Sequence, residues 1–180
     1  MELSPFAKGG LRGIWQLFKP LNCYKNSKEG RIHGRCRPKT DEAKRLSQLA
    51  RAYRLADIYV FGSRAAEIAA MIKNGSVIKR ASSADVDIGV RPQQGFSLST
   101  RELVNLAVEL EDLFGVNRVD LVLLPDAEPF LALDIIRGEL LYADDPLDQA
   151  HYELFVLRRA GDLLPFKRER IDLILQGAAR

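Results

Sequence analysis

From Pro38 onward the apolar residues of this chain switch between helical and strand spacing three times in succession, and few folds accommodate that order. Thr40 is placed to cap a helix opened by Asp41 and Glu42, with Leu46, Leu49, Ala50 and Tyr53 as its apolar stripe. Ile58-Tyr59-Val60-Phe61 predicts a strand that ends at Gly62-Ser63. A second helix begins near Arg64, buries Ala65, Ile68, Ala69 and Ile72, and stops at Asn74-Gly75. Ser76 to Arg80 reads as a short strand and Val86 to Val90 as a longer one. Ser99 and Glu102 form a capping box for a helix carrying Leu103, Leu106, Ala107, Leu110 and Leu113, which Gly115 ends. Val119 to Leu124 predicts a further strand, closed by Pro125. The expectation is an α/β (α+β) fold, a small mixed sheet flanked by helices.

Downstream, Pro129 to Ile136 reads as a helix and Leu140-Leu141-Tyr142 as an edge strand. Pro146 to about Gln176 reads as one helix, or two broken near Gly161 and Pro165, with Tyr152, Phe155, Val156 and Leu163 as an apolar face. The expected division is a basic, poorly ordered arm over 1–38, a core over 39–145, and a helical extension of the same domain over 146–180. Residues 1–45 hold eleven Lys and Arg against four Asp and Glu, so the remainder of a chain of net charge +3 is mildly acidic. The solvated-tail reading of the arm is the economical one. A nucleic-acid contact through Arg31, Arg35, Arg37 and Lys39 is the alternative, weakened because no aromatic platform is interleaved with those charges. Leu11, Ile14, Trp15 and Phe18 would share one face of a short helix in the arm, able to dock on the body, on a partner or on a lipid surface, with the body the most economical reading. Cys23, Cys36 and His33 fall short of a four-ligand zinc site, and reduced thiols are expected. The opening residues lack the apolar stretch of a signal peptide and no run suggests a membrane span, which makes the cytoplasm the expected compartment.

The chemistry concentrates at the strand ends. Asp85 and Asp87 are two apart on a strand and therefore share a face, with Val86 and Ile88 opposite. Such a pair suits Mg²⁺, which takes oxygen ligands and is commonly held by one or two carboxylates plus substrate phosphates. Asp120 stands alone among the apolar residues of Val119 to Leu124, a run that reads as buried on both faces, and a carboxylate there asks for a compensating cation. Gly62-Ser63 lets a phosphate approach the backbone, and the helix start behind it offers free N–H groups, with Arg64 as an added charge. His33, His151, Glu67 and Asp134 read as structural or surface groups.

Val60-Phe61-Gly62-Ser63-Arg64-Ala65, Ser83-Ala84-Asp85-Val86-Asp87-Ile88 and Val119-Asp120-Leu121-Val122 together resemble the motifs of the minimal nucleotidyltransferases of the DNA polymerase β superfamily. The resemblance covers about residues 40–145. It implies that Gly62, Ser63 and Arg64 bind the triphosphate of an NTP, most naturally ATP. It further implies that Asp85, Asp87 and Asp120 ligate Mg²⁺, or Mn²⁺ in its place, and that Asp120 helps activate the hydroxyl of an acceptor. The acceptor could be a protein, a small molecule or an RNA end, with pyrophosphate released. Some small members resemble antitoxins, so a second reading is an interaction module that binds or modifies a helical toxin partner. The Ser63-to-Asp85 segment is longer than in short members and carries Lys73, Lys79 and Arg80 toward the expected site entrance.

Overall fold

The computed structural model describes residues 40–75 and 85–178. The N-terminal arm with Cys23, His33 and Cys36, the strand expected over Ser76 to Arg80, and Lys79 and Arg80 lie outside the described residues.

Helices start and stop where the capping residues direct. Thr40 Oγ1 accepts the Ala43 N–H at 3.1 Å to open α1 (Asp41–Ala52), and donates to the Ile72 carbonyl at 2.7 Å, which ties α1 to α2 (Ala65–Asn74). The Ser99–Glu102 capping box opens α3 (Thr100–Phe114). Among the described residues four strands form one mixed sheet in the order β3-β2-β1-β4: β1 (Leu55–Phe61), β2 (Val86–Pro92), β3 (Val119–Leu123) and β4 (Glu139–Ala143). β1 runs antiparallel to β2 and to β4, while β2 and β3 are parallel. A short 3₁₀ turn (Leu124–Asp126) leads into α4 (Pro129–Ile136), and α5 (Pro146–Ala178) closes the described chain.

Strand alternation divides the sheet residues between two cores. Ile58, Val60, Val86, Ile88 and Val90 pack with Leu46, Ile68, Leu106 and Leu110 of α1 to α3. On the other face Tyr59 packs with Leu124, Ala132, Ile135 and Val156, so α4 and the first half of α5 cover that side. Gly89 lets α4 lie close, since a Cβ there would fall 2.3 Å from Ile135 Cγ2. The fully buried Tyr59 fixes α5: its hydroxyl accepts from Gln149 Nε2 at 2.8 Å and donates to Glu153 Oε1 at 3.2 Å.

Two details depart from the pattern read in the sequence, and α5 takes the one-helix alternative of the two read there. β1 begins three residues earlier than the apolar run Ile58 to Phe61 indicates, which brings the fully buried Asp57 into the sheet. β3 is an edge strand, and of its residues only Val119 is buried, so Asp120 does not sit in a strand covered on both faces. α5 runs unbroken through Gly161 and Pro165. A proline ring crowds the carbonyl four residues earlier; here that carbonyl belongs to Gly161, whose freer backbone can tilt it aside.

Candidate active site

β2 lies between β1 and β3, and register places Asp87 opposite Phe61 on one side and Asp120 on the other. The face opposite Val86 and Ile88 is therefore where Asp87 and Asp120 meet, beyond the edge of α4. Asp85 stands one residue ahead of β2, at the same strand end. The side chains of Asp85 and Asp120 are 43% and 44% exposed, open enough to meet a ligand from solvent. Asp87 is half-buried, and its pKa is raised first by burial, then by the charges of Asp120 and Asp85.

Arg118 is the cation the sequence reading overlooked. Its Nε lies 3.0 Å from Asp120 Oδ1 and its Nη1 3.5 Å from Asp85 Oδ2, so one guanidinium spans the two outer carboxylates. Its position two residues before Asp120 on an extended segment, hence on the same face, was the available signal. Asp87 is left between them without an ion pair of its own among the described residues.

Gly62 forms the wall beside Asp87. It adopts φ +75°, and a Cβ built on it would lie 2.4 Å from Asp87 Oδ2. Gly62 and Ser63 are exposed, and α2 starts two residues later without a side-chain cap, unlike α1 and α3. The first-turn N–H groups and the positive end of the helix thus stand next to the carboxylates. Arg64, expected to add charge at the triphosphate, is buried, with Nε 3.0 Å from Glu67 Oε2. Lys73 likewise turns away from the site, to Glu139 at 2.6 Å.

Gly62→Ala tests this geometry. The left-handed backbone costs an L-residue about 1–2 kcal/mol, and the clashing atom is the far end of a side chain that can rotate. The fold is expected to survive with that modest loss in chemical denaturation. Activity should fall roughly 100-fold, because Asp87 is the group displaced.

The set of oxygen donors fits a hard divalent cation: of three carboxylates, the outer two share the Arg118 guanidinium, and the half-buried Asp87 between them has no cation of its own among the described residues. They do not form a closed cage, and among the described residues no three such side chains are gathered to hold an ion. Mg²⁺ does not require one, since substrate phosphates and water complete its shell.

The family model for "Polymerase beta, Nucleotidyltransferase" matches residues 44–147, more than half of the chain. The chain belongs to this nucleotidyltransferase family. No match was found among curated proteins. Among solved structures, this nucleotidyltransferase resembles a chain from a toxin–antitoxin crystal structure with AMP-PNP, with TM-score 0.57 and 21% identity over 76% of this chain and 99% of that one. It also resembles a chain from the toxin–antitoxin pair MntA-HepT, with TM-score 0.54, 20% identity, and 74% and 97% of the two chains covered. A third is a complex of tri-AMPylated Shewanella oneidensis HEPN toxin with MNT antitoxin, with TM-score 0.54, 20% identity, and 74% and 96% covered. At these identities the likeness establishes the fold. The nucleotidyltransferase match spans β1 to β4 and ends at the start of α5, so the helical tail lies beyond it.

Proposed function

We propose that this chain transfers a nucleoside monophosphate from an NTP, most naturally ATP, to a hydroxyl acceptor with release of pyrophosphate. The observation that supports it best is the close approach of Gly62 to Asp87, with Asp120 next to Asp87 in register. Ser63 and the first-turn N–H groups of α2 bind the phosphate chain, and Arg64 supports the turn from behind through Glu67. Asp85, Asp87 and Asp120 are the residues that would hold Mg²⁺ or Mn²⁺, which when bound supplies positive charge at the α-phosphate and the leaving oxygen. Asp120 takes the proton of the acceptor hydroxyl as its oxygen bonds to the α-phosphorus, and the bond from that phosphorus to the bridging oxygen breaks. Arg118 must release Asp85 and Asp120 for this, and both pairs are exposed enough to exchange cheaply.

Incubation with labelled NTPs, Mg²⁺ and protein, RNA and small-molecule acceptors tests the proposal. Transfer of label with pyrophosphate release is expected, and its loss in the Asp85→Ala/Asp87→Ala chain. Failure of the chain to bind any NTP in the presence of Mg²⁺ would refute it.

A second reading, as an antitoxin-like module that binds or modifies a helical toxin, is favoured by the assemblies in which the structural neighbours occur. The face containing Tyr152, Phe155 and Leu163 would dock that partner, and Phe155 and Leu163 are exposed. The two readings converge if the partner carries the acceptor hydroxyl.

A further inference from the structure

The buried contacts of α5 stop at Ala160, and every residue from 161 to 176 is exposed. Lys167 Nζ lies over the Phe130 ring of α4 at 3.8 Å, and a helix of that length held by so little is marginal in water. This one also presents Leu164, Ile171 and Leu175 to solvent. These belong to a longer stripe. Ala150, Leu154, Leu157, Gly161, Leu164, Arg168, Ile171 and Leu175 follow at alternating spacings of four and three residues, the rhythm of a coiled-coil seam. All eight are exposed, and none belongs to the set Gln149, Val156 and Ala160 that faces the body.

The stripe is symmetrical about the point between Asp162 and Leu163. Laid antiparallel on a second copy about that point, Ala150 faces Leu175, Leu154 faces Ile171, Leu157 faces Arg168, and Gly161 faces Leu164. Small residues thus meet large ones twice, two branched side chains meet each other, and the aliphatic stem of Arg168 covers Leu157 while its head reaches water. A two-fold axis makes every pairing occur twice. Asp172 comes to the flank occupied by His151 of the second copy. A parallel arrangement would instead set Gly161 against Gly161, leaving a void, and Arg168 against Arg168, a like-charge contact. The antiparallel orientation also lays the projecting half of each helix on the anchored half of the other, which covers residues 161–176.

We infer that the outer stripe of α5 is a self-association surface, taken by a second copy of this chain in antiparallel orientation. The seam from 150 to 175 is about 39 Å long at 1.5 Å per residue. With the flanking positions that the body does not engage, which leaves out Glu153, Ala160 and Lys167, it uses about 13 residues from each helix, fewer than the roughly 20–30 a side of standard interfaces, so a weak dimer with a dissociation constant on the order of tens of micromolar is expected. The seam shares no residue with the Tyr152–Phe155–Leu163 face, so this association can fail without affecting either reading of function.

Sedimentation of the full chain from about 1 to 100 μM should show a monomer–dimer equilibrium. Leu164→Glu with Ile171→Glu should weaken it at least about 50-fold with an unchanged melting temperature of the body, since both positions are exposed and beyond it. In a chain with Cys23→Ser and Cys36→Ser, the pair Leu154→Cys/Ile171→Cys should give a covalent dimer on mild oxidation, whereas Leu154→Cys alone should not. A chain that is monomeric at 100 μM, dimers indifferent to the two glutamates, or cross-linking by Leu154→Cys alone would each overturn the inference. So would a monomer that uses these residues only to bind a helix of another protein.

Discussion

Asp87→Asn is expected to reduce nucleotidyl transfer by roughly a thousandfold or more while leaving the fold as stable as before or more so. The two halves of that result have one cause. Asp87 is the carboxylate that burial and two neighbouring charges disfavour, and Arg118 serves the outer two instead. An amide of the same shape removes the repulsion, so the melting temperature of the ligand-free chain should hold or rise by a few degrees, the shift that about 1 kcal/mol gives in a domain of this size. In the proposed reaction the same amide carries no charge to hold a divalent ion beside the nucleotidyl group being transferred, and a loss of about 4 kcal/mol of transition-state stabilisation amounts to about a thousandfold in rate. The stabilisation of the wild-type chain by Mg²⁺ and NTP should disappear in the same variant, measured as a thermal shift. Transfer within tenfold of wild type would remove Asp87 from the site. Intact chemistry with a collapsed melting temperature would mean that the carboxylate serves the fold.

The parts of the molecule legible in the sequence are those set by local rules. Thr40 and Ser99 cap their helices, Gly75 and Gly115 end theirs in the left-handed conformation, and period-two alternation separates Val86 and Ile88 from Asp87. The mixed sheet and the meeting of Asp87 with Asp120 were legible through motif order, since three strand-end motifs in this sequence occur together in one fold family. What was not legible depended on partners distant in the chain. An isolated carboxylate beside an apolar run looks like the boundary of a strand, and it is Arg91, opposite Asp57 on the neighbouring strand, that makes Asp57 an interior residue. The apolar character of Val119 to Leu124 suggests burial on both faces, but among the described residues β3 has one neighbouring strand, and half-burial satisfies the same residues. The charge of Arg64 was legible as a phosphate-binding candidate, but its burial and its pairing with Glu67, one helical turn on, were not.

Arg91→Met is expected to destabilise the chain by about 3–5 kcal/mol near pH 7.5, more than any surface substitution, and by clearly less at pH 5. Asp57 is fully buried, with Oδ2 2.5 Å from Arg91 Nε and Oδ1 without a partner among the described residues. Arg91 also pairs with Asp148 at 2.6 Å and stacks 4.5 Å from the Tyr152 ring, so it joins β1, β2 and α5. Burial outweighs the guanidinium and pushes the Asp57 carboxyl from 3.8 up to about 6. In the folded chain Asp57 therefore keeps its proton through a range in which the unfolded chain has lost it. The contribution is fully present below about pH 3.8 and declines as pH rises through about 6. Glu153, raised mainly by burial, adds in the same direction, so the informative quantity is the difference between variant and parent. Without Arg91 the carboxylate has no counter-charge, its pKa rises further, and stability goes on falling above pH 6 where the parent levels off. Urea denaturation at pH 5 and 7.5 measures this, and Arg91→Met combined with Asp57→Leu should recover most of the loss, because replacing both members of a buried pair with apolar groups leaves no charge stranded. A cost equal at both pH values would mean that Arg91 acts through packing on Tyr152, and that the charge of Asp57 is of no consequence to the fold.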